Sequence, residues 1–306
     1  MEKDSRAELT PLNLVEGDIV ERVRRLELFS RFRVEGLISG NNKSPFRGFT
    51  ADFLQHRQYF RGDSLKYLDW RVFGKREKLY IREYEELTNT TISVIMDVSN
   101  SMSFRGSGRF SKFDFCVRCA ALVFYMAFLH KDSFSLTCFN TGVVQRVPAG
   151  NGKKHLHRIL RALVGLNAGG ATDFFLGLKE AAAPIKRKGL TVVFSDFMEE
   201  AEDVVRVISR LRLEGSDVIV MHVFDPAEST LDFLSITRFY DLESPEMLTI
   251  DPLLVRREYE HEFEAHKLAM RKACLQHGFD HTALSVEDEY EVPLMEYVRH
   301  RMELCS

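Results

Sequence analysis

From Thr90 onward, two kinds of apolar pattern alternate along the chain. Short continuous runs, rich in β-branched residues, cover Thr91–Asp97, 133–140, 191–195, 217–224 and 281–286. Such runs suit strands buried on both faces of a parallel sheet. Residues 143–147 predict one more strand, forming a hairpin with 133–140. Between the runs lie helix candidates at Lys112–Leu129, 154–163, 174–183, 203–214 and 253–277. Strands alternating with helices predict an α/β fold, a mostly parallel sheet with helices on both faces. No repeat with a period of 20–50 residues and no low-complexity tract interrupts this order.

The part before Thr90 reads differently. Residues 1–11 are polar, as chain ends often are. Residues 12–29 predict a helix, with Leu14, Ile19, Val23 and Leu26 at helical spacing. Residues 33–38 alternate like a strand, and Gly40-Asn41-Asn42 marks a turn. From Phe46 to Glu86, short β-like runs are separated by glycines and charges. The expected division is residues 1–87, a helix and β-rich segment packed on the main domain, and residues 88–306, the α/β domain.

Composition narrows the class. The 306 residues allow one large domain or two smaller ones, and 45% hydrophobic residues is ordinary for a globular core. The longest apolar run, residues 120–129, is far short of the roughly 18–20 residues that span a bilayer. The charged start Met1-Glu2-Lys3-Asp4-Ser5-Arg6 has no apolar signal region. A cytoplasmic protein without a membrane span is the expectation. Net charge is -3 and the pI is near 6.4, so no global basic field argues for nucleic acid. The arginines between positions 22 and 33 read as a solvated helix face. Five cysteines do not suggest a disulfide framework. Cys116 and Cys119 share one helix face beside Ala and Phe, and read as core rather than as a redox or zinc pair.

One strand ends in candidate chemistry. The run from Thr91 stops at Asp97, and Ser99 and Ser101 follow at alternate positions. Ligands of open α/β sheets bind at the carboxyl ends of the strands. One charged and two neutral oxygens there suit a hard cation such as Mg2+. Gly169-Gly170-Ala171-Thr172-Asp173 is a flexible turn carrying a hydroxyl, and the run from Leu190 ends in Ser195-Asp196. A plainer reading makes Asp97 a helix cap and the serines turn residues.

Enzyme readings meet obstacles on the same residues. Phosphatases of the haloacid-dehalogenase type need a second carboxylate two positions after the first, as general acid and base. Ser99 occupies that place and cannot shuttle a proton in that way. There is no G-x-S-x-G elbow. Gly150-Asn151-Gly152-Lys153-Lys154 fails the P-loop pattern. His155 and His157 read as a solvated helix start rather than a metal pair. A metal-dependent, phosphatase-like hydrolase using the strand-end acid remains the alternative.

A loop of the form D-x-S-x-S, a distant Thr and a further strand-end Asp resemble the metal-ion-dependent adhesion site of von Willebrand factor A domains. That resemblance implies a divalent cation, Mg2+ or else Mn2+ or Ca2+, held by Asp97, Ser99, Ser101, Thr172 and Asp196. The preceding segment adds Ser44-Pro45-Phe46-Arg47-Gly48-Phe49, then Arg61-Gly62-Asp63-Ser64-Leu65-Lys66-Tyr67-Leu68-Asp69-Trp70, then Leu79-Tyr80-Ile81-Arg82-Glu83-Tyr84-Glu85. With Asp225-Pro226-Ala227-Glu228, these are similar to the widespread bacterial family called domain of unknown function 58 (DUF58). Lys66 stands where that family more often has Arg.

The resemblance implies a von Willebrand factor A-like fold and a non-enzymatic adaptor that binds a protein client through its metal. It also implies a MoxR-type AAA+ ATPase as partner, in maturation or remodelling of a protein complex. Asp63 and Asp69 beside Arg57, Arg61 and Arg71 read as an ion-pair network holding the front segment, with Trp70 as its anchor. A partner-docking surface is the other reading of that segment.

Overall fold

The computed structural model describes residues 25–28, 53–58, 80–84, 90–106, 108–170, 173–185, 189–213, 216–231, 237–240 and 247–288, with backbone alone at 53–58, 80–84, 212, 213, 237 and 239. Two compact units are present, residues 35–89 and residues 1–34 with 90–306. In the first, β1 (Phe53–Gln58) pairs antiparallel with β2 (Tyr80–Tyr84). The side chains of Arg57, Arg61, Asp63, Asp69, Trp70 and Arg71 lie outside the described residues, so the expected ion-pair network does too.

The second unit is built around β3 (Thr91–Asp97). Ile92, Val94, Ile95 and Met96 are all buried, which requires cover on both faces of the strand. β3 pairs in parallel with β4 (Ser133–Phe139) on one side and β6 (Gly189–Ser195) on the other. β7 (Ser216–Phe224) and β10 (Asp280–Ser285) extend the sheet in parallel beyond β6. β5 (Val143–Gly150) closes the opposite edge, antiparallel to β4.

The order is β10-β7-β6-β3-β4-β5. Counted along the chain within this sheet, it is the doubly wound order 3-2-1-4-5-6. The order reverses between β3 and β6, which makes their carboxyl ends the topological switch point. Gly189 lets those two strands close up at the other end, since a Cβ there would lie 2.2 Å from the Thr91 carbonyl oxygen.

Helices cover both faces. α1 (Lys112–Leu129) is buried from Lys112 to Ala127, as expected of a helix that is apolar on nearly every side. It packs on β3, β4 and β7 and against α2 (Gly152–Gly165). Cys116 and Cys119 are fully buried within it and are not joined in a disulfide, and so belong to the core. Beneath the opposite face, Ile95, Val193 and Val220 pack with α3 (Phe174–Ala182), α4 (Ala201–Leu213) and α6 (Pro252–Gln276). The second unit is therefore α/β, with a mostly parallel, doubly wound sheet between two helical layers.

Several details differ from the expectation. α2 begins two residues earlier, after Asn151. His155 is buried rather than solvated, because its Nε2 bonds the Phe134 carbonyl at 2.7 Å and its ring lies against Phe134. His157 is the half-buried member of the pair and faces Glu27 at 3.0 Å. A short helix α5 (Pro226–Thr230) and a hairpin of β8 (Thr237–Tyr240) and β9 (Met247–Ile250) follow β7 unannounced. Elements of four or five residues are too short to show a period. No helix of the described residues is long and apolar enough to cross a membrane.

Candidate functional site

The switch point gathers polar groups from β3, β6 and the loops that follow them. Asp97 ends β3 with only 1% of its surface exposed. Its Oδ1 accepts the Ser99 amide at 2.8 Å, an Asx-type turn that swings the chain off the strand. Its Oδ2 accepts the Ser195 hydroxyl at 2.8 Å, which ties the end of β3 to the end of β6. The Ser99 and Ser101 hydroxyls lie 3.0 Å apart.

The glycine turn is stitched onto this loop. The Gly169 amide bonds the Val98 carbonyl at 2.9 Å, and the Asn100 amide bonds the Gly170 carbonyl at 3.0 Å. Gly170 adopts φ 87°, which a side chain would strain. Thr172 itself lies outside the described residues. Its successor Asp173 caps α3 by accepting the Leu176 amide at 3.0 Å.

Asp196 follows β6 and is 5% exposed. Its Oδ2 accepts from the Lys112 ammonium at 2.8 Å, and the same ammonium donates to Glu228 Oε1 at 2.6 Å. Glu228 is held by a capping box: the Asp225 amide donates to its Oε2 at 3.1 Å, while Asp225 Oδ1 accepts the Ala227 amide at 2.9 Å. Asp225 Oδ2 accepts the Gly106 amide at 2.9 Å, which pins the loop after Ser101. The Asp225-Pro226-Ala227-Glu228 stretch thus delivers an acid to Lys112 rather than to the D-x-S-x-S loop.

A family model described as protein of unknown function DUF58 matches residues 55–269. The chain belongs to the DUF58 family. This DUF58 protein is similar to the uncharacterized proteins Rv1480 of Mycobacterium tuberculosis and Mb1516 of Mycobacterium bovis. Each is 23% identical over 312 residues, covering 98% of this chain and 96% of theirs. Among solved structures it is similar to an aerotolerance-related membrane protein from Bacteroides fragilis (12% identity, 70% of this chain and 99% of that one, TM-score 0.46). It is also similar to BatB from Bacteroides thetaiotaomicron (12%, 70% and 99%, TM-score 0.43) and to the SpRpn10 VWA domain (12%, 69% and 95%, TM-score 0.41).

Burial sets the electrostatics of this DUF58 site. Removal from water, then the nearby charge of Asp196, push the Asp97 carboxyl up to about 7, against hydrogen bonds from Ser99 and Ser195. Burial alone would lower the Lys112 pKa, but Asp196 and Glu228 outweigh it and raise it, so the ammonium stays charged. Burial raises Glu228, and Lys112 pulls the other way. Asp196 and Glu228 share the one Lys112 ammonium, and Asp97 lies near enough to Asp196 to feel its charge. That is a local excess of negative charge in a poorly solvated place.

The donors at this edge are two acids and a set of hydroxyls, all hard oxygens of the kind Mg2+ accepts. Among the described residues, no three His, Cys, Asp or Glu side chains gather as a metal cluster. Of the five residues that the pattern singles out, Asp97, Ser99, Ser101 and Asp196 lie at or just past the two strand ends of the switch point, and Thr172 lies outside the described residues. Ser195, Lys112 and Glu228 were missed. Ser195 had a signal, since it precedes Asp196 at a strand end. Lys112 had a faint one, a cation at the first position of a largely apolar helix.

Proposed function

We propose that this protein is a non-enzymatic, divalent-metal-dependent adaptor that binds a protein client at the carboxyl edge of its sheet. The observation that carries the reading is the bond from Ser195 to Asp97, which ties the strand end bearing Asp97 to the strand end followed by Asp196 where the sheet order reverses. Asp97, Ser99, Ser101, Thr172 and Asp196 would hold the ion. When bound, a divalent cation supplies an electrophilic position for a client carboxylate.

The chain's own residues shape the rest. The Asx turn at Asp97 presents the Ser99 and Ser101 hydroxyls side by side. Both Asp97 oxygens are engaged by Ser99 and Ser195, which fixes the carboxylate's orientation. Ser99 occupies the place where a phosphatase of the haloacid-dehalogenase type needs its second acid, which favours binding over phosphoryl transfer. Near this edge, Met198 is 61% exposed, and Phe175 and Leu176 are exposed at the head of α3. Exposed apolar side chains beside a polar centre suit a protein partner. A MoxR-type AAA+ ATPase as the source of energy completes the reading on family resemblance.

The test is capture of clients from a lysate of the native host, identified by mass spectrometry, with and without chelator. Clients should be lost in chelator and recovered with Mg2+, and lost alike in Asp97→Ala and Thr172→Ala. A Cys116→Ala/Cys119→Ala double variant should keep them. Capture that persists unchanged in chelator would refute metal dependence and move the interface elsewhere.

A further inference from the structure

Lys112 is costly where it stands. A buried ammonium loses its hydration, and the amino end of a helix carries the positive pole of the helix dipole. Lys112 is the first residue of α1, after the Ser111 cap, and its side chain is 1% exposed. Its neighbours along the helix are Phe113, Phe115 and Cys116, all buried. What offsets these costs is a pair of acids from distant elements: Asp196 after β6 at 2.8 Å and Glu228 in α5 at 2.6 Å. Glu228 is itself held by the Asp225 capping box. Among the described residues, Lys112 is the one side chain that bonds the Asp196 carboxylate, and it takes only Oδ2.

We propose that Lys112 is a tethered cation that shares Asp196 with the divalent ion of this site, steadying the site when the ion is away and limiting how tightly it is held. The proposal rests on the metal reading above. A fixed positive charge one bond from Asp196 neutralises part of the acid cluster in advance. It therefore weakens the attraction for an arriving cation, and it relieves the repulsion between Asp97 and Asp196 without one. Glu228 works in the opposite direction, by drawing the ammonium partly away from Asp196.

The test is Mn2+ binding, followed by loss of the free-ion electron paramagnetic resonance signal, in wild type, Asp97→Asn, Lys112→Met and Glu228→Gln. Lys112→Met should bind at least about tenfold more tightly than wild type, and Glu228→Gln at least about threefold more weakly. In thermal melts, Lys112→Met should be destabilised in chelator and regain the loss in Mg2+, which a purely packing role would not produce. If that variant folds only in Mg2+, the same rescue is seen directly.

The outcomes separate the two readings. Wild type that binds, Asp97→Asn that does not, and Lys112→Met unchanged or weaker would keep the metal reading and overturn the role of Lys112. Unchanged affinity in Glu228→Gln would overturn that role as well. No binding in wild type with binding in Lys112→Met would mean that the lysine takes the ion's place outright, sustaining its role and ending metal dependence of the native chain. No binding in either, or equal binding in wild type and Asp97→Asn, would overturn both.

Discussion

Acidification should remove the stability that one buried imidazole, His222, contributes to this fold. His222 is 2% exposed, with its ring centroid 5.8 Å from Phe197, 5.9 Å from His266 and 5.7 Å from His281. Its Nδ1 is buried without a hydrogen-bond partner among the described residues. Burial first, then the nearness of His281 and His266, push its pKa down to about 3, while Asp196 pulls weakly the other way. In the unfolded chain the same group takes its proton near about 6.5. The stability due to neutral His222 is thus fully present above about 6.5 and is lost as the pH falls toward 3.

Each pH unit in that window is worth about 1.4 kcal/mol, so a step from about pH 7.5 to about pH 5.5 should remove about 1.4 kcal/mol, against a ceiling of roughly 5 kcal/mol. Asp97 acts with the opposite sign. Its folded pKa is raised to about 7, so the folded state gains relative to the unfolded one as the pH falls. A comparison with His222→Phe cancels that contribution, since both proteins carry Asp97. Urea unfolding at the two pH values should show wild type losing about 1.4 kcal/mol more than the variant. Equal losses would refute the assignment of a neutral buried His222.

Three further outcomes are expected. Asp97→Asn should be neutral or mildly stabilising in chelator, because it removes one of two neighbouring acids, and thermal melting should show a Mg2+-induced upward shift in wild type that the variant lacks. Gly106→Ala would place a Cβ 2.5 Å from Asp225 Oδ1 and 2.6 Å from the Ala227 Cβ, so it should cost about 1–3 kcal/mol in chemical denaturation. A cost near zero would show that the loop moves freely away from α5. Purified protein with Mg2+ should not turn over a generic aryl phosphate; turnover abolished by Asp97→Asn would favour the hydrolase alternative.

The alternation of apolar runs revealed most of the sheet because these strands are buried on both faces. Ile92 to Met96 reads as a strand in sequence for the same reason that it sits at the centre of six. The acids at positions 97 and 196 were legible because a charge ending an apolar run marks a carboxyl edge. The hairpin of β8 and β9 was not legible, since four residues carry no period and Tyr240, Met247 and Leu248 stay exposed. His155 misled because its partner is a backbone carbonyl, which no side-chain pattern encodes.

Lys112 was hidden for a deeper reason. A lysine at a helix start ordinarily points to water, and its meaning here comes from Asp196 and Glu228, 84 and 116 positions away. The legible part of the site is the donor set, which local sequence can specify. Its charge balance is set by tertiary contacts alone. The Asp225-Pro226-Ala227-Glu228 stretch joins the two levels. As sequence it is part of the family resemblance, and in the fold it is the cap that holds the counter-acid to Lys112.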